Sequence, residues 1–283
     1  MIVPVQKDEI LLADVAAARC ERDDFHLWWL GQSGFLLKWR DRRLLFDPYL
    51  SDSLTAKYAG TDKEHVRMTE RCVDPACLDM ISIVTSSHAH TDHLDADTLR
   101  PLRRANPGLK LILPAANIET AASRLGADAP DFVGLDADAT TAIEGLEFTA
   151  VPSAHNEIER DQHGRCLFLG FIVRFGPWTL YHSGDTMWHS ELPQILTRHS
   201  PNVVLLPING HRPERRVAGN LNGTEAAALA RVCGSRLAIP HHFEMFSFNT
   251  EPPDEFVHAC GRLQQPFRVL KCGERLTLTV DGR

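Results

Sequence analysis

Three histidines and an aspartate fall within six residues in His88-Ala89-His90-Thr91-Asp92-His93, just after the apolar run Met80-Ile81-Ser82-Ile83-Val84. The run reads as a buried strand. Ser86 to Asp95 then connects it to a helical pattern. A tight loop at a strand end turns several side chains toward one point. Imidazole nitrogen and carboxylate oxygen are the donors that a borderline divalent cation such as zinc takes. The stretch reads as half of a two-metal hydrolytic site. Only a fold that carries further donors to the same strand edge can complete it.

Three more apolar β runs end on donors of the same kind. Leu146 to Val151 leads through Pro152-Ser153-Ala154 to His155. Trp178 to His182 leads through Ser183-Gly184 to Asp185. Leu237-Ala238-Ile239 leads through Pro240 to His242 or its neighbour His241. A single histidine at a strand end is more often a hydrogen-bonded core or surface residue than a ligand. Four strand ends that together supply seven ligands make a constellation. Two divalent cations need about that many protein groups and a shared water. Asp92 as a helix N-cap and Asp185 as a turn aspartate are the plainer readings, and the completed set outweighs them.

The rest of the chain supplies the scaffold. Lys7 to Cys20, with apolar Ile10, Leu11, Val15 and Ala18, reads as an amphipathic helix. Phe25 to Leu30 and Phe35 to Trp39 flank Gly31-Gln32-Ser33-Gly34 as a hairpin, and Leu44-Leu45-Phe46 follows as a third strand. Strand alternation predicts that Trp28 and Trp29 point to opposite faces. Leu50 to Leu78 is polar and aperiodic, so it reads as a lid, a substrate loop or a solvated connector. Asp95 to Ala105 reads as a helix that Pro101 kinks or starts. Ala115 to Leu125 reads as a second helix, closed by Gly126. Further strands are expected at Leu111–Leu113, Phe132–Leu135, Cys166–Phe175, Val203–Leu206, Phe267–Leu270 and Arg275–Val280. Helices are expected after Asn222 and over Pro253 to Leu263. Early and late batches of strands with helices between them predict two sheets with helices outside, in one α/β domain over 1–283, with 1–24 as a helical extension packed on it.

Composition narrows the function. The formal charge of −7 argues against a broad grip on nucleic acid or anionic membrane. The seven cysteines are odd in number and form no CxxC pair, as expected of free thiols in a reducing cytoplasm. Met1 to Glu21 has no basic n-region and acidic residues interrupt it, so it does not read as a signal peptide. No apolar run approaches the ~20 residues of a spanning helix. A soluble cytoplasmic protein is expected.

His88-Ala89-His90-Thr91-Asp92-His93 resembles the HxHxDH motif of the metallo-β-lactamase superfamily. His155, Asp185 and the His241-His242 pair resemble its later motifs, so the resemblance covers nearly the whole chain. Trp28-Trp29-Leu30-Gly31-Gln32-Ser33-Gly34, Leu180 to Thr186 and Ile239-Pro240-His241-His242 are similar to the L-ascorbate-6-phosphate lactonase-like branch. The resemblance implies a four-layer αββα sandwich with two metal positions at one edge. It implies His88, His90 and His155 on the first metal, Asp92, His93 and His242 on the second, and Asp185 between them. His242 is preferred because the family's ligand lies two residues after the proline, here Pro240. The implied cofactors are two divalent ions, zinc or manganese, with iron allowed. The implied chemistry is a metal-bridged hydroxide, formed when the cations lower the pKa of water from about 15.7 toward about 7. Asp92 and Asp185 would be the catalytic carboxylates, Asp92 orienting or shuttling the proton. Di-iron relatives that reduce oxygen or NO carry a glutamate where His90 stands, so His90 favours hydrolysis.

The leading expectation is a hydrolase that opens a lactone, or a related ester, of a sugar or sugar phosphate. The alternative is a binuclear phosphodiesterase of phospholipase-D-like or nuclease-like type. A metal-stabilised binding module is a third reading. Anchors for an anionic small molecule are expected at His65 and Arg67, at His211 and Arg212 with Arg215 and Arg216, and at His241. Nucleic acid and membrane are not expected as partners. Relatives often assemble, so a homo-oligomer is an open expectation.

Overall fold

The computed structural model describes residues 1–280, and apolar periodicity accounts for most of what it contains. The chain begins with α1 (Asp8–Ala17), followed by the meander β1 (Phe25–Gly31), β2 (Gly34–Trp39) and β3 (Arg42–Phe46). Next come the short α2 (Ser53–Lys57), β4 (Ile83–Thr85), α3 (Ala96–Ala105), β5 (Lys110–Pro114), α4 (Ile118–Leu125) and β6 (Asp131–Leu135). The second half runs through β7 (Thr140–Ile143), β8 (Leu146–Pro152), β9 (Leu169–Phe175), β10 (Trp178–His182), α5 (Leu192–His199) and β11 (Val203–Pro207). It closes with α6 (Gly223–Val232), β12 (Leu237–His241), α7 (Asp254–Leu263) and β13 (Arg275–Leu278).

The strands form a seven-stranded sheet in the order β13-β1-β2-β3-β4-β5-β6 and a six-stranded sheet in the order β12-β11-β10-β9-β8-β7. Both are mixed. β3 to β6 pair in parallel and β13 to β3 antiparallel, while β10, β11 and β12 pair in parallel and β7 to β10 antiparallel. One apolar cluster runs through both sheets, including Phe35, Phe46 and Leu37 from one and Phe171, Ile172 and Leu205 from the other. With helices on the outer faces this is the expected αββα sandwich.

The topology determines where the site falls. β10 and β12 both run parallel to β11, so the residues after β10 and β12 emerge at one edge. β8 and β10 are each antiparallel to β9, so β8 ends at that edge as well. β4 delivers the His88–His93 loop from the other sheet. Ser87 O accepts from Leu169 N at 2.9 Å, which ties that loop to β9 across the sandwich.

Several local expectations need correction. In α1 only Leu11 and Val15 are buried, whereas Ile10 is 67% exposed. Leu11 and Val15, with Ala18 just past the helix, still join the core as expected, and polar bonds from the sheet add to that packing. Buried Lys38 donates to Val15 O at 2.6 Å and Ala16 O at 3.3 Å, at the carbonyl-rich end of the helix. Trp28 Nε1 donates to Asp14 Oδ2 at 2.9 Å, while Trp29 stacks on Phe243 at 4.5 Å, so the two indoles do part. Pro101 lies inside α3, which starts at Ala96 under the Asp95 cap. Phe267–Leu270 is not a strand; Phe267 makes one isolated bridge to Ala238. β7 and α5 were not expected. β7 is a short edge strand with alternately exposed residues, and α5 begins at a leucine-proline pair, so neither gives a long periodic signal.

Candidate metal centre

Each donor-bearing loop is braced before it reaches the edge. The carboxylate of Asp47, fully buried at the end of β3, organises the His88–His93 loop. Its oxygens accept from Thr85 Oγ1 at 2.9 Å, Ser87 N at 3.1 Å and Ser87 Oγ at 2.5 Å. Oδ2 lies 2.7 Å from His93 Nδ1, so His93 can direct Nε2 outward. His155 Nδ1 lies 2.8 Å from Gly219 O, which aims its Nε2 in the same way. A carboxylate or carbonyl behind an imidazole fixes its tautomer and orientation for ligation.

The aimed atoms converge. His88, His90 and His155 form one group whose donor atoms lie within 4.8 Å of one another; His88, His93 and Asp185 form a second, and Asp92, His93 and His242 a third. Asp185 lies at the centre. Its oxygens are 3.4 Å from His93 Nε2, 3.7 Å from His155 Nε2 and 3.4 Å from His242 Nε2. Asp92 Oδ2 is 3.7 Å from His93 Nε2 and 3.9 Å from His242 Nε2. All seven donors expected from the sequence come together at this edge.

The donor chemistry fits divalent cations. His88 Nε2, His93 Nε2 and Asp185 Oδ1 are buried without a hydrogen-bond partner, a costly state for polar atoms unless something binds them. Burial, with His93 and His90 nearby, pushes His88 well below the usual imidazole value. Desolvation at the pocket mouth, with His155 beside it, brings the more exposed His90 down to about 4. Both therefore present a free lone pair at neutral pH. Burial also works against a charged His93, yet Asp185 and Asp92 hold its pKa well above the ordinary value. Two carboxylates that gather positive charge in a buried pocket make the electrostatics of a cation site.

A cavity of about 400 Å³ opens over the centre, bordered by Asp92, His90, His155, Asp185, His242 and Gln32. The rest of its lining is aromatic and cationic, with Tyr58, His65, Phe246, Phe248, Lys57, Lys63 and Arg124. His65 is therefore where an anchor was expected, stacked on Tyr58 at 4.5 Å with its Nδ1 2.7 Å from Lys63 O. The segment 50–78 supplies Lys57, Tyr58, Lys63 and His65 of this lining.

The other expected anchors are spent elsewhere. Arg67 ties its own loop together, donating to Asp52 Oδ1 at 2.7 Å, Thr69 O at 2.9 Å and Ser51 O. Arg212 pairs with Glu251 at 2.6 Å; Arg215 also bonds Glu251, and Arg216 pairs with Asp62. His211 is exposed and packs over Gly219 rather than into the cavity. His241 is fully buried, stacked on His182 at 5.2 Å and edge-on to Phe35, so it faces the core and not a substrate.

Sequence reasoning passed over Asp47, Gln32, Lys57, Lys63 and Arg124. Asp47 had a signal: it too is a carboxylate directly after an apolar β run, Leu44-Leu45-Phe46. The other four become visible only when the cavity closes around them.

Comparison with known proteins agrees with this geometry. The profile of a family described as "Beta-lactamase superfamily domain" matches residues 42–243. A UPF0173 metal-dependent hydrolase of Opitutus terrae is 31% identical over 255 residues, covering 88% of this chain and 98% of the relative. A UPF0173 metal-dependent hydrolase of Thermococcus kodakarensis is 27% identical, covering 88% and 97%. Among solved structures, the metallo hydrolase Igni18 of Ignicoccus hospitalis superposes with a TM-score of 0.66 at 22% identity over 90% of this chain and 99% of that one. A possible metal-dependent hydrolase of Veillonella parvula gives 0.71 at 17% identity over 89% and 98%. These two likenesses speak for the fold. With the family profile matched over more than half of its length, this chain belongs to the metallo-β-lactamase superfamily, among its metal-dependent hydrolases.

Proposed function

We propose that this protein hydrolyses a small anionic ester, with a lactone of a sugar or sugar phosphate as the substrate class. The observation that carries the reading is the pair Lys57 and Lys63. Both border the cavity above the donor cluster, and neither makes an ion pair with a carboxylate among the described residues. Lys57 Nζ donates to Thr91 Oγ1 at 3.3 Å and lies 5.2 Å over the Tyr58 ring, and Lys63 Nζ donates to the Arg216 carbonyl at 2.6 Å. Arg124 adds a third cation, bonded to the carbonyls of Ala89 and Leu94. Unpaired cations at a pocket wall select for phosphate or carboxylate.

His88, His90 and His155 would hold one cation and Asp92, His93 and His242 a second, with Asp185 between them. Such a cation supplies a Lewis acid and lowers the pKa of water toward about 7. The protein's own groups do the rest. Asp92 has the more open of the two carboxylates, its side chain 14% exposed against 4% for Asp185, so Asp92 faces the water and takes its proton. The lysines fix the anionic end of the substrate, which places the ester over the donor cluster. The ring wall of Tyr58, His65 and Phe248 packs against the substrate's apolar face and narrows access for bulk solvent.

Kinetics on a panel of sugar-phosphate lactones, neutral lactones and bis-p-nitrophenyl phosphate tests the reading. The phosphorylated lactones should turn over best. Lys57→Ala with Lys63→Ala should raise KM for them about 10- to 100-fold, one to two charge-assisted contacts' worth, with little change for neutral lactones. Turnover of the phosphodiester alone would move the assignment to a phosphodiesterase.

A further inference from the structure

Gln32 occupies a backbone position that glutamine rarely takes. It begins the two-residue turn between β1 and β2, with φ +48°, in the left-handed region that favours glycine or asparagine. Strain of that kind at a pocket wall is a pointer to function. The turn is clamped: Gln32 O accepts from Trp29 Nε1 at 3.0 Å and from His242 N at 3.0 Å. The residue is 3% exposed, so its side chain has one direction to go, into the donor cluster.

There its amide meets two of the expected ligands. Gln32 Nε2 donates to Asp92 Oδ2 at 2.8 Å and lies 3.0 Å from His242 Nε2. An amide nitrogen has two hydrogens, so one serves the carboxylate and the other is free for the imidazole in the tautomer that leaves Nε2 bare, the form a cation would need. Those are the lone pairs a second cation would take. The donors therefore differ between the two positions. At the first position His88 Nε2 has no hydrogen-bond partner, while at the second Asp92 and His242 already share one.

We propose that Gln32 is a built-in competitor at the second cation position. Its amide satisfies Asp92 and His242 when that position is empty and must swing away, or give up both bonds, when a cation enters. The two positions then fill in order, the histidine triad of His88, His90 and His155 first. Gln32 is a positioning residue that sets when the centre becomes binuclear. This inference rests on the metal-centre reading above.

Calorimetric titration of the chelator-stripped full chain with zinc or manganese, checked by elemental analysis, tests it. The wild type should show one tight class of site and a second class at least about tenfold weaker. Gln32→Ala should tighten the second class by about tenfold and leave the first unchanged, the scale of a lost neighbouring contact at a metal site. Gln32→Glu should tighten it further, because a carboxylate adds a ligand where the amide competed. Circular dichroism and melting of each variant separate loss of fold from loss of competition: a misfolded variant weakens both classes. An unchanged or weaker second class in both folded variants would overturn the proposal and leave the metal centre standing. A wild type that binds no cation would remove both.

Discussion

Asp185→Asn should lower kcat/KM by at least about 10³-fold while the protein stays folded. Asp185 is the residue on which the centre turns. It follows β10 directly, and its oxygens approach His93, His155 and His242 within 3.7 Å. It is also one of only two carboxylates among the seven donors, so its loss halves the negative charge that draws cations in. Asparagine keeps the volume and one carbonyl oxygen. The fold loses little, because the Asp185 carboxylate faces the histidines of the donor cluster rather than the backbone of the sheets. Metal content, melting temperature and kcat/KM on the same preparation separate these effects. A variant that kept more than about a tenth of wild-type activity would mean that Asp185 is only a well-placed turn residue.

Asp47→Ala should cost stability as well as metal. The Asp47 carboxylate is fully buried and gathers Thr85, Ser87 and His93. Burial by itself would raise its pKa, yet the bond from His93 and the charge of its neighbours hold it below the ordinary carboxylate range. Alanine leaves those donors facing a void. Removing one partner of a buried hydrogen-bonded pair costs about 3–5 kcal/mol, against a total stability of about 5–15 kcal/mol. For a chain of this size that is a fall in melting temperature on the order of 10 °C. His93 would also lose its orienting partner, which weakens cation affinity by about 10- to 100-fold. Asp47→Asn keeps the shape and should recover much of the melting temperature but little of the metal affinity. If both variants bound metal like the wild type, the brace would be purely structural.

Residues that share a strand end were legible from the sequence, and residues that meet across the fold were not. His88 to His93, His155, Asp185 and His242 each follow an apolar β run, and a strand end has only one place to go. The parallel pairing of β10, β11 and β12 then collects those ends. Gln32 was invisible because its partners Asp92 and His242 lie 60 and 210 positions away. The substrate wall was misread for a related reason. Arg212, Arg215 and Arg216 look like an anion clamp in isolation, but folding brings Glu251 and Asp62 against them. Lys57 and Lys63 looked ordinary in an aperiodic segment, yet among the described residues no carboxylate reaches them. Charge in a sequence says what a loop can bind, and tertiary structure decides what is left free to do so.

The central claim is that the cluster around Asp185 holds the cations on which hydrolysis depends. Elemental analysis and ester hydrolysis, followed together through chelation and stepwise return of zinc or manganese, test it most directly. Activity should vanish with the metal, stay low in Asp185→Asn at every cation level, and return in the wild type as the centre refills, with two cations per chain at saturation. Hydrolysis that survived complete removal of metal, or metal content unchanged in Asp185→Asn, would contradict it.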